Sequence, residues 1–575
     1  MPPALRQDFP DLEYVALADN NMSDPVITIT RADNSTEKFK EQGVVFVDPE
    51  FLKIFHYEWI EGNSDALKRE KTVVLAESMA IKYFGTTSVV NKVINFNSEF
   101  DATVAGVIKD PPLNTDFKFR VLLSNNLGSI KRGWDEWSAG ASSLNCFVKL
   151  KAGVNQRDFD AKLKGWHQKY FTGKNEEDGK NRNYFLQPLK ELHFNTEFHI
   201  MGGGRVVSYQ RLLTLGLIGV LLLLTACINF INLNTVLIID RSKEAGVRKV
   251  MGSSRSQLVL QFLGETFTIT FLSMIISAGL IELALIQLSS VLEYRLTFHP
   301  LGDPATAVFL IVLPIAITLL AGLYPGLTLS RFQPVTALKN KLTGSGKGMT
   351  LRRSLIVFQL VISQVLVVCT IIVVQQINHF MSQPIGINSN AIVEFELPEN
   401  KPEIISRLKD RLKVIPGVQN ATMSNTGAIS GNNWGGDLEA RIGDKLVKSD
   451  AAVKFANEDF VSTYQIQLLY GENLVKCDTA NRFLINESLA KALGFENPAD
   501  AVGTPIDVWG NKALVTGVIK DFNALPLQAK LSPMIILCGT TAYYNGAVRI
   551  ESARMLETID LVRKAWEDIY PKYVF

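Results

Sequence analysis

The chain has 575 residues, with 59 Lys and Arg against 57 Asp and Glu, a formal net charge of +2. That length is too great for a single core, so several domains are required, and the near-neutral charge gives no ground for a nucleic-acid partner. Hydrophobic residues make up 47% and the mean hydropathy is slightly positive, which fits soluble domains mixed with membrane spans.

The chain opens with Met1-Pro2-Pro3 and polar sequence, with neither a basic n-region nor an apolar h-region, so no signal peptide is expected. Residues 1–211 read as α+β. A polar residue, Asp48, precedes a short helix that carries Phe51 and Phe55 at i and i+4, and Gly62 closes the unit. A β-rich run follows, then a helix that starts at Glu77-Ser78 and ends at Gly85, then a strand from Val104 to Ile108. The aromatic pair reads as core packing, with a ligand cage as the alternative. Asp135-Glu136 and Glu176-Glu177-Asp178 read as solvated charge runs.

Four stretches are apolar and long enough to cross a bilayer, which takes about 20 residues. They are Leu212–Ile239, Leu258–Leu292, Ala305–Leu329 and Leu355–Ile377. The loop after the first carries Arg241, Lys243, Arg248, Lys249 and Arg255. The loop after the third carries Arg331, Lys339, Lys341, Lys347, Arg352 and Arg353 with no acid, whereas the second loop has only Arg295. The basic loops are therefore assigned to the cytoplasm, and residues 1–211 and 378–575 to the outside.

The segment Asp240–Gln257 has its own order. Val247, Val250 and Met251 form one apolar stripe, and Glu244 can pair with Arg248 on the other side. Gly252 stops the helix, and Ser254 with Gln257 has the spacing of a capping box. The expectation is a short amphipathic helix, a tight turn and a new helix entering the membrane. Its basic face could meet anionic lipid, or the unit could dock a cytoplasmic partner. Within the spans, Asn229 and Asn232 share a face, suited to interhelical hydrogen bonds or to lining a substrate path. Glu265 and Glu282 fall near opposite ends of the second span, where both can reach interfacial water. Pro314 should kink the third span and Tyr324-Pro325-Gly326 should break it. Gly344–Gly348 fails as a phosphate loop, because Gly348 follows Lys347 where Ser or Thr is required, and reads as a flexible linker.

The tail of the chain repeats its head. Val453–Asn473 matches Val44–Asn63, Arg482–Gly494 matches Thr72–Gly85, and Val515–Asp521 matches Val104–Asp110. The order is kept and the offset stays near about 410 residues, so the outer domain is duplicated. Asn457, Phe460 and Tyr464 repeat Asp48, Phe51 and Phe55, and Gly471, Glu487-Ser488 and Gly494 repeat the later landmarks. No nucleophile–base pair or paired carboxylate site stands out. The five cysteines hold no Cys-x-x-Cys pair and the six histidines no metal-ligand spacing, so no metal, no cofactor and no disulfide framework is expected.

Ala226–Thr235 followed by Arg241–Glu265 resembles the permease domain of FtsX-like and MacB-like ABC transporters. Ala321–Lys339 resembles the end of that domain, the duplicated outer segments resemble the MacB-type periplasmic core domain, and Leu351–Leu366 resembles the span that opens a second half in long two-module permeases. The resemblance implies a multi-domain membrane protein of the bacterial inner membrane, with an α-helical region of four spans and two duplicated α+β outer domains. The implied domains are a first outer domain over 1–211 and a permease domain over 212–340. A basic linker over 341–353, a fourth span over 354–378 and a second outer domain over 379–575 complete it. It implies a non-catalytic subunit that couples ATP hydrolysis by a separate ATPase to outer rearrangement, for export or release of a substrate. An FtsX-like regulator of an outer partner, such as a cell-wall hydrolase, is the alternative. By that match Glu244, Gly246, Val247, Arg248, Lys249 and Gly252 become ATPase-coupling candidates, and a dimer or a second permease module is implied. Long members begin with a span before the outer domain and close with a second three-span unit, so a chain shortened at both ends is expected.

Overall fold

The computed structural model describes the chain apart from residues 1, 21, 23, 32, 113, 128–142, 172–182, 199–205, 293–301, 303, 332–345, 384, 389, 431–433, 477–478 and 526–530. Both charge runs, at 135–136 and 176–178, lie outside the described residues, as do Arg295, Lys339 and Lys341. The described chain divides into two compact units, residues 1–206 with 382–575, and residues 207–381.

In the first unit, the first outer domain is built on ten strands: β1 (Leu12–Asp19), β2 (Val26–Thr30), β3 (Thr36–Lys40), β4 (Val44–Val47), β5 (Trp59–Glu61), β6 (Thr72–Ala76), β7 (Val93–Phe96), β8 (Phe100–Ile108), β9 (Val121–Ser124) and β10 (Leu144–Leu150). Nine of them run in the order β10-β1-β4-β9-β6-β8-β7-β2-β3, with β5 added on β8. The helices are α1 (Pro2–Asp8), α2 (Phe51–Ile54), α3 (Glu77–Phe84), α4 (Gln156–Leu163) and α5 (Leu189–Leu192). Strand β6 is apolar on both faces and alternates between two cores: Val73 and Leu75 meet Met79, Ala80 and Tyr83 of α3, whereas Val74 shares a cluster with Phe51 and Leu52 of α2.

The second outer domain repeats much of this plan, with its strands in two sheets of three and seven. Its strands are β11 (Ile392–Glu396), β12 (Val418–Ser424), β13 (Trp434–Ile442), β14 (Lys445–Phe455), β15 (Leu468–Gly471), β16 (Arg482–Asn486), β17 (Pro505–Val508), β18 (Asn511–Ile519), β19 (Met534–Leu537) and β20 (Asn545–Ile550). The parallel pair β4–β9 recurs as β14–β19, and the parallel pair β6–β8 as β16–β18. Even the register shift recurs, at Val73/Val74 and at Phe483/Leu484. At the closing Asp of each Val-Ile-Lys-Asp run, the carboxylate accepts from the Ser backbone N–H and hydroxyl of the Glu-Ser helix start: Asp110 from Ser78 at 3.2 and 2.5 Å, Asp521 from Ser488 at 3.0 and 2.7 Å. The duplication expected from three sequence matches is thus a duplication of topology and of side-chain bonding.

Two local expectations are corrected. Asp48 and Asn457 do not cap the short helices with their side chains. Instead Asp48 Oδ2 accepts from Leu17 N of β1 at 3.0 Å and Asn457 Oδ1 from Met423 N of β12 at 3.3 Å, tying each helix start to an earlier strand of its own copy. Cys538 is disulfide-bonded, whereas Cys146, Cys227 and Cys369 are free thiols. The aromatic pairs are core: ring centroids lie 4.5 Å apart for Phe51–Phe55 and 4.9 Å for Phe460–Tyr464.

The copies also differ. Lys454, in the β14 position that corresponds to Val45 of the first copy, is buried and donates to Thr426 Oγ1 at 2.9 Å and Gly427 O at 2.7 Å. Burial pulls its ammonium down to about 8. Tyr464 OH donates to Glu394, at 2.5 Å, on the neighbouring strand β11.

The second unit is helical: α6 (Tyr209–Val250), α7 (Arg255–Leu292), α8 (Pro304–Arg331) and α9 (Gly346–Ser382). Each is long and apolar enough to cross a membrane. The first span does not stop before the charged segment; α6 runs unbroken for 42 residues, so the expected short helix is the end of a long one. Nor does Tyr324-Pro325-Gly326 break α8, which continues to Arg331. Close packing holds it there: a Cβ on Gly322 would sit 3.1 Å from Leu263 and Thr266, and one on Gly326 would sit 3.3 Å from Phe262. Helix α9 begins at Gly346, inside the expected linker.

Candidate functional site

The charged end of α6 is joined to α7 by a side-chain ladder. Arg241 Nη1 donates to Glu265 Oε2 at 2.8 Å, and Gln261 Nε2 donates to Glu265 Oε1 at 3.3 Å. Arg248 then donates to Gln261 Oε1 at 2.5 Å and to Glu244 Oε1 at 2.6 Å. Beneath the ladder, Ala245 packs with Leu258, Phe262 and Leu329, so α6, α7 and α8 share a small apolar cluster. Lys249 Nζ donates to the carbonyl of Ser330 at the end of α8. Burial, aided by nearby Arg255, lowers the affinity of Lys249 for its proton.

The turn after α6 follows from its sequence. Ser253 N donates to Arg248 O and Gly252 N to Lys249 O, both at 3.0 Å, which is a Schellman closure. Gly252 sits at φ +103°, a conformation that a side chain would strain. Ser254 and Gln257 then close the reciprocal capping box: Ser254 N donates to Gln257 Oε1 at 2.8 Å, and Gln257 N to Ser254 Oγ at 3.3 Å.

Val247, Val250 and Met251 take no part in the apolar cluster. They are 47%, 68% and 81% exposed, so the stripe expected from spacing points away from the bundle. Gly246 is buried. Glu244 and Arg248 bond each other as their spacing implies, and Arg248 also bonds α7. Gln261 was not singled out in the sequence. Its spacing to Gln257 and Glu265, four residues either way, was the available signal.

The intramembrane polar residues separate. Asn229 is exposed, whereas Asn232 Oδ1 is enclosed with no hydrogen-bond partner among the described residues. The nearby Asn234, which the sequence reading passed over, is buried and donates to Phe230 O at 2.9 Å. Glu265 stands at the ladder, not alone in the span. A cavity of about 410 Å³ lies among α6, α7 and α8, walled by Cys227, Phe230, Thr270, Ser273, Leu313 and Pro314. The hydroxyls of Thr270 and Ser273 are turned back to helix carbonyls at 2.9 Å.

One unit is thus a bundle of helices long enough to cross a membrane, with a charged turn, and the other carries large α+β domains. Residues 2–165 match the family model of the MacB-like periplasmic core domain, and residues 216–334 that of the FtsX-like permease C-terminal domain. In these two segments the chain resembles the FtsX-like/MacB-like ABC transporter permeases, and its four helices of membrane-crossing length fit a multi-pass membrane protein. The ABC transporter permease YknZ of Bacillus subtilis (strain 168) is 23% identical over 218 residues, which are 38% of this chain and 50% of that protein. The chain thus spans about half the length of this curated relative. Among solved structures, the extracellular domain of the noncanonic ABC-type transporter YknZ from Gram-positive bacteria is 15% identical, with a TM-score of 0.22, covering 28% of this chain and 82% of that one. The periplasmic region of MacB from Actinobacillus actinomycetemcomitans is 15% identical, with a TM-score of 0.25, covering 34% and 90%.

Proposed function

We propose that the chain is a transmembrane subunit driven by a separate ATPase, and that the ATPase docks on the turn at the end of α6. The observation that carries this is the exposed stripe Val247, Val250 and Met251 on a turn whose other faces are bonded to α7 and α8. A turn fixed in this way can transmit force. Burying each of those side chains in a partner groove would contribute roughly 1.5–3 kcal/mol before ordering costs. The ladder would carry displacement of the α6 end into α7 through Arg248–Gln261 and Arg241–Glu265. On this reading Glu244, Arg248 and Lys249 are positioning residues that hold the turn, and Gly246 and Gly252 shape it.

Many large apolar side chains of α7 and α9 are exposed, among them Leu260, Ile276, Leu283, Leu360, Ile372 and Val373. Lipid and a second permease module, from another copy or another chain, would cover them. The chain supplies no phosphate loop in this proposal, and its work is export or release of a substrate by outer-domain rearrangement.

The test is co-purification of a tagged full chain from its native host. A protein with a Walker A motif should accompany the wild type and be lost with Val250→Asp and Met251→Asp, with helicity by circular dichroism unchanged. Retention of the same ATPase by both variants would remove the stripe from the docking role.

A further inference from the structure

In the first outer domain a cavity of about 400 Å³ lies between β10 and the segment 184–194. Phe117, Phe147, Leu150, Phe185, Leu189 and Leu192 are among the apolar residues of its wall. That segment is a strap held by three bonds, at Leu186 and His193. Leu186 O accepts from Gln156 Nε2 at 2.9 Å, Leu186 N donates to Asp160 Oδ1 at 2.7 Å, and His193 Nδ1 meets Asp116 Oδ1 at 3.0 Å. The apolar side chains of the strap are only partly covered: α5 has no buried side chain, and Phe185 and Leu189 remain about half exposed. One polar atom on this wall is enclosed and unmatched. Gln187 Nε2 has no hydrogen-bond partner among the described residues, and no acceptor atom of the wall is in that position.

We propose that this cavity binds a neutral amphiphile with a single acyl chain, whose ester or amide carbonyl accepts from Gln187. The wall fixes the class. None of the described lining residues carries a charged side chain, so an ionic group would have to stay in water outside. The apolar wall takes a hydrocarbon chain, and the volume lies low in the range of small-molecule sites, about 300–1,000 Å³. The unmatched group is a donor without a matching orphan acceptor, so a carbonyl satisfies it. An extended peptide would bring an N–H with every carbonyl, whereas the enclosed unmatched group among the described wall residues is a donor. Cys146 also lines the cavity, and burial pushes its thiol up to about 12, so it serves as wall and not as a nucleophile. The assignment does not depend on the docking role of the α6 turn.

The test uses the full chain in lipid nanodiscs and a monoacylglycerol probe with a diazirine in its acyl chain. Photolabelling should map to peptides covering 144–150 and 184–192 and be competed by excess unlabelled monolauroylglycerol. Gln187→Leu, close to the native shape, should reduce labelling of these peptides about five-fold, the worth of one hydrogen bond. Val148→Trp should fill the cavity and abolish it. Labelling confined to the spans would overturn the proposal, as would outer-domain labelling unaffected by Gln187→Leu. Displacement of the probe by an apolar peptide but not by monolauroylglycerol would assign the cavity to a protein segment instead. If Val148→Trp fails to fold, the Gln187→Leu comparison alone decides.

Discussion

Two glycine pairs in the duplicated domains look alike in sequence and should respond differently to the same substitution. Gly62 and Gly471 sit at φ +90° and +75°, and Gly85 and Gly494 at +72° and +96°. All four therefore carry the left-handed penalty, about 1–2 kcal/mol for an L residue. Only the first pair also faces backbone. An added Cβ at Gly471 would lie 2.2 Å from Thr516 O and 2.9 Å from Gly517 Cα, and at Gly62 it would lie 2.8 Å from Ala105 O. At Gly85 and Gly494 nothing stands within 4 Å. Relief at Gly471 requires the edge strand β15 to move off β18, an overpacking cost of about 1–3 kcal/mol. Gly471→Ala should thus destabilise by roughly 2–5 kcal/mol and Gly494→Ala by about 1–2 kcal/mol. Hydrogen exchange of peptides covering β18, followed by mass spectrometry on the full chain, reads the local opening free energy. Equal losses at the two positions would refute the close-approach argument. The first copy should show the same order with a smaller gap, since its contact at Gly62 is longer.

Lys454 keeps its proton less firmly folded than unfolded, about 8 against 10.5, so the charged form costs the folded state below pH 8. Stability of the second outer domain should therefore rise by up to about 3 kcal/mol between pH 8 and 10.5. Lys454→Met should flatten that rise in urea unfolding at each pH. Asp521→Ala removes an acceptor of two bonds to Ser488 and should cost about 2 kcal/mol, with Ser488→Ala adding little in the double variant, as a thermodynamic cycle would show. Asp8 is held down to about 2 by donors from Lys169, Tyr170 and Trp166. Its contribution should be complete above pH 4 and lost as pH falls through 2, and Asp8→Asn should remove that step from an acid titration of tryptophan fluorescence. Arg248→Ala should loosen the α6 end, seen as faster exchange across 241–250, while leaving the outer domains unchanged.

The outer duplication was legible because its landmarks are local: a glycine with positive φ, a Glu-Ser helix start and a Val-Ile-Lys-Asp strand end each announce themselves in a few residues. The partner strands were not legible. Asp48 and Asn457 were read as helix caps because their bonding partners, Leu17 and Met423, lie more than thirty residues upstream on other strands. The same limit applies at the turn. The Gly252 stop and the Ser254–Gln257 box are short-range and follow from spacing. The ladder depends on which faces of α6 and α7 meet, and periodicity along either helix does not state that. The break expected at Pro325 is overridden by packing of Gly322 and Gly326 on α7, a tertiary effect. The amide orphaned at Gln187 and the buried Lys454 had no sequence signature, since each is defined by what surrounds it.

The central claim is that Val250 and Met251 face a cytoplasmic ATPase. Its most direct test places a photo-crosslinking amino acid, p-benzoylphenylalanine, at Val250 or Met251 of the full chain in native cells, with Leu263 as the control on the packed face. The account predicts one protein adduct, bearing a Walker A motif, from positions 250 and 251 and none from 263. Adducts to lipid alone at 250 and 251 would contradict it and make the stripe a membrane-surface contact.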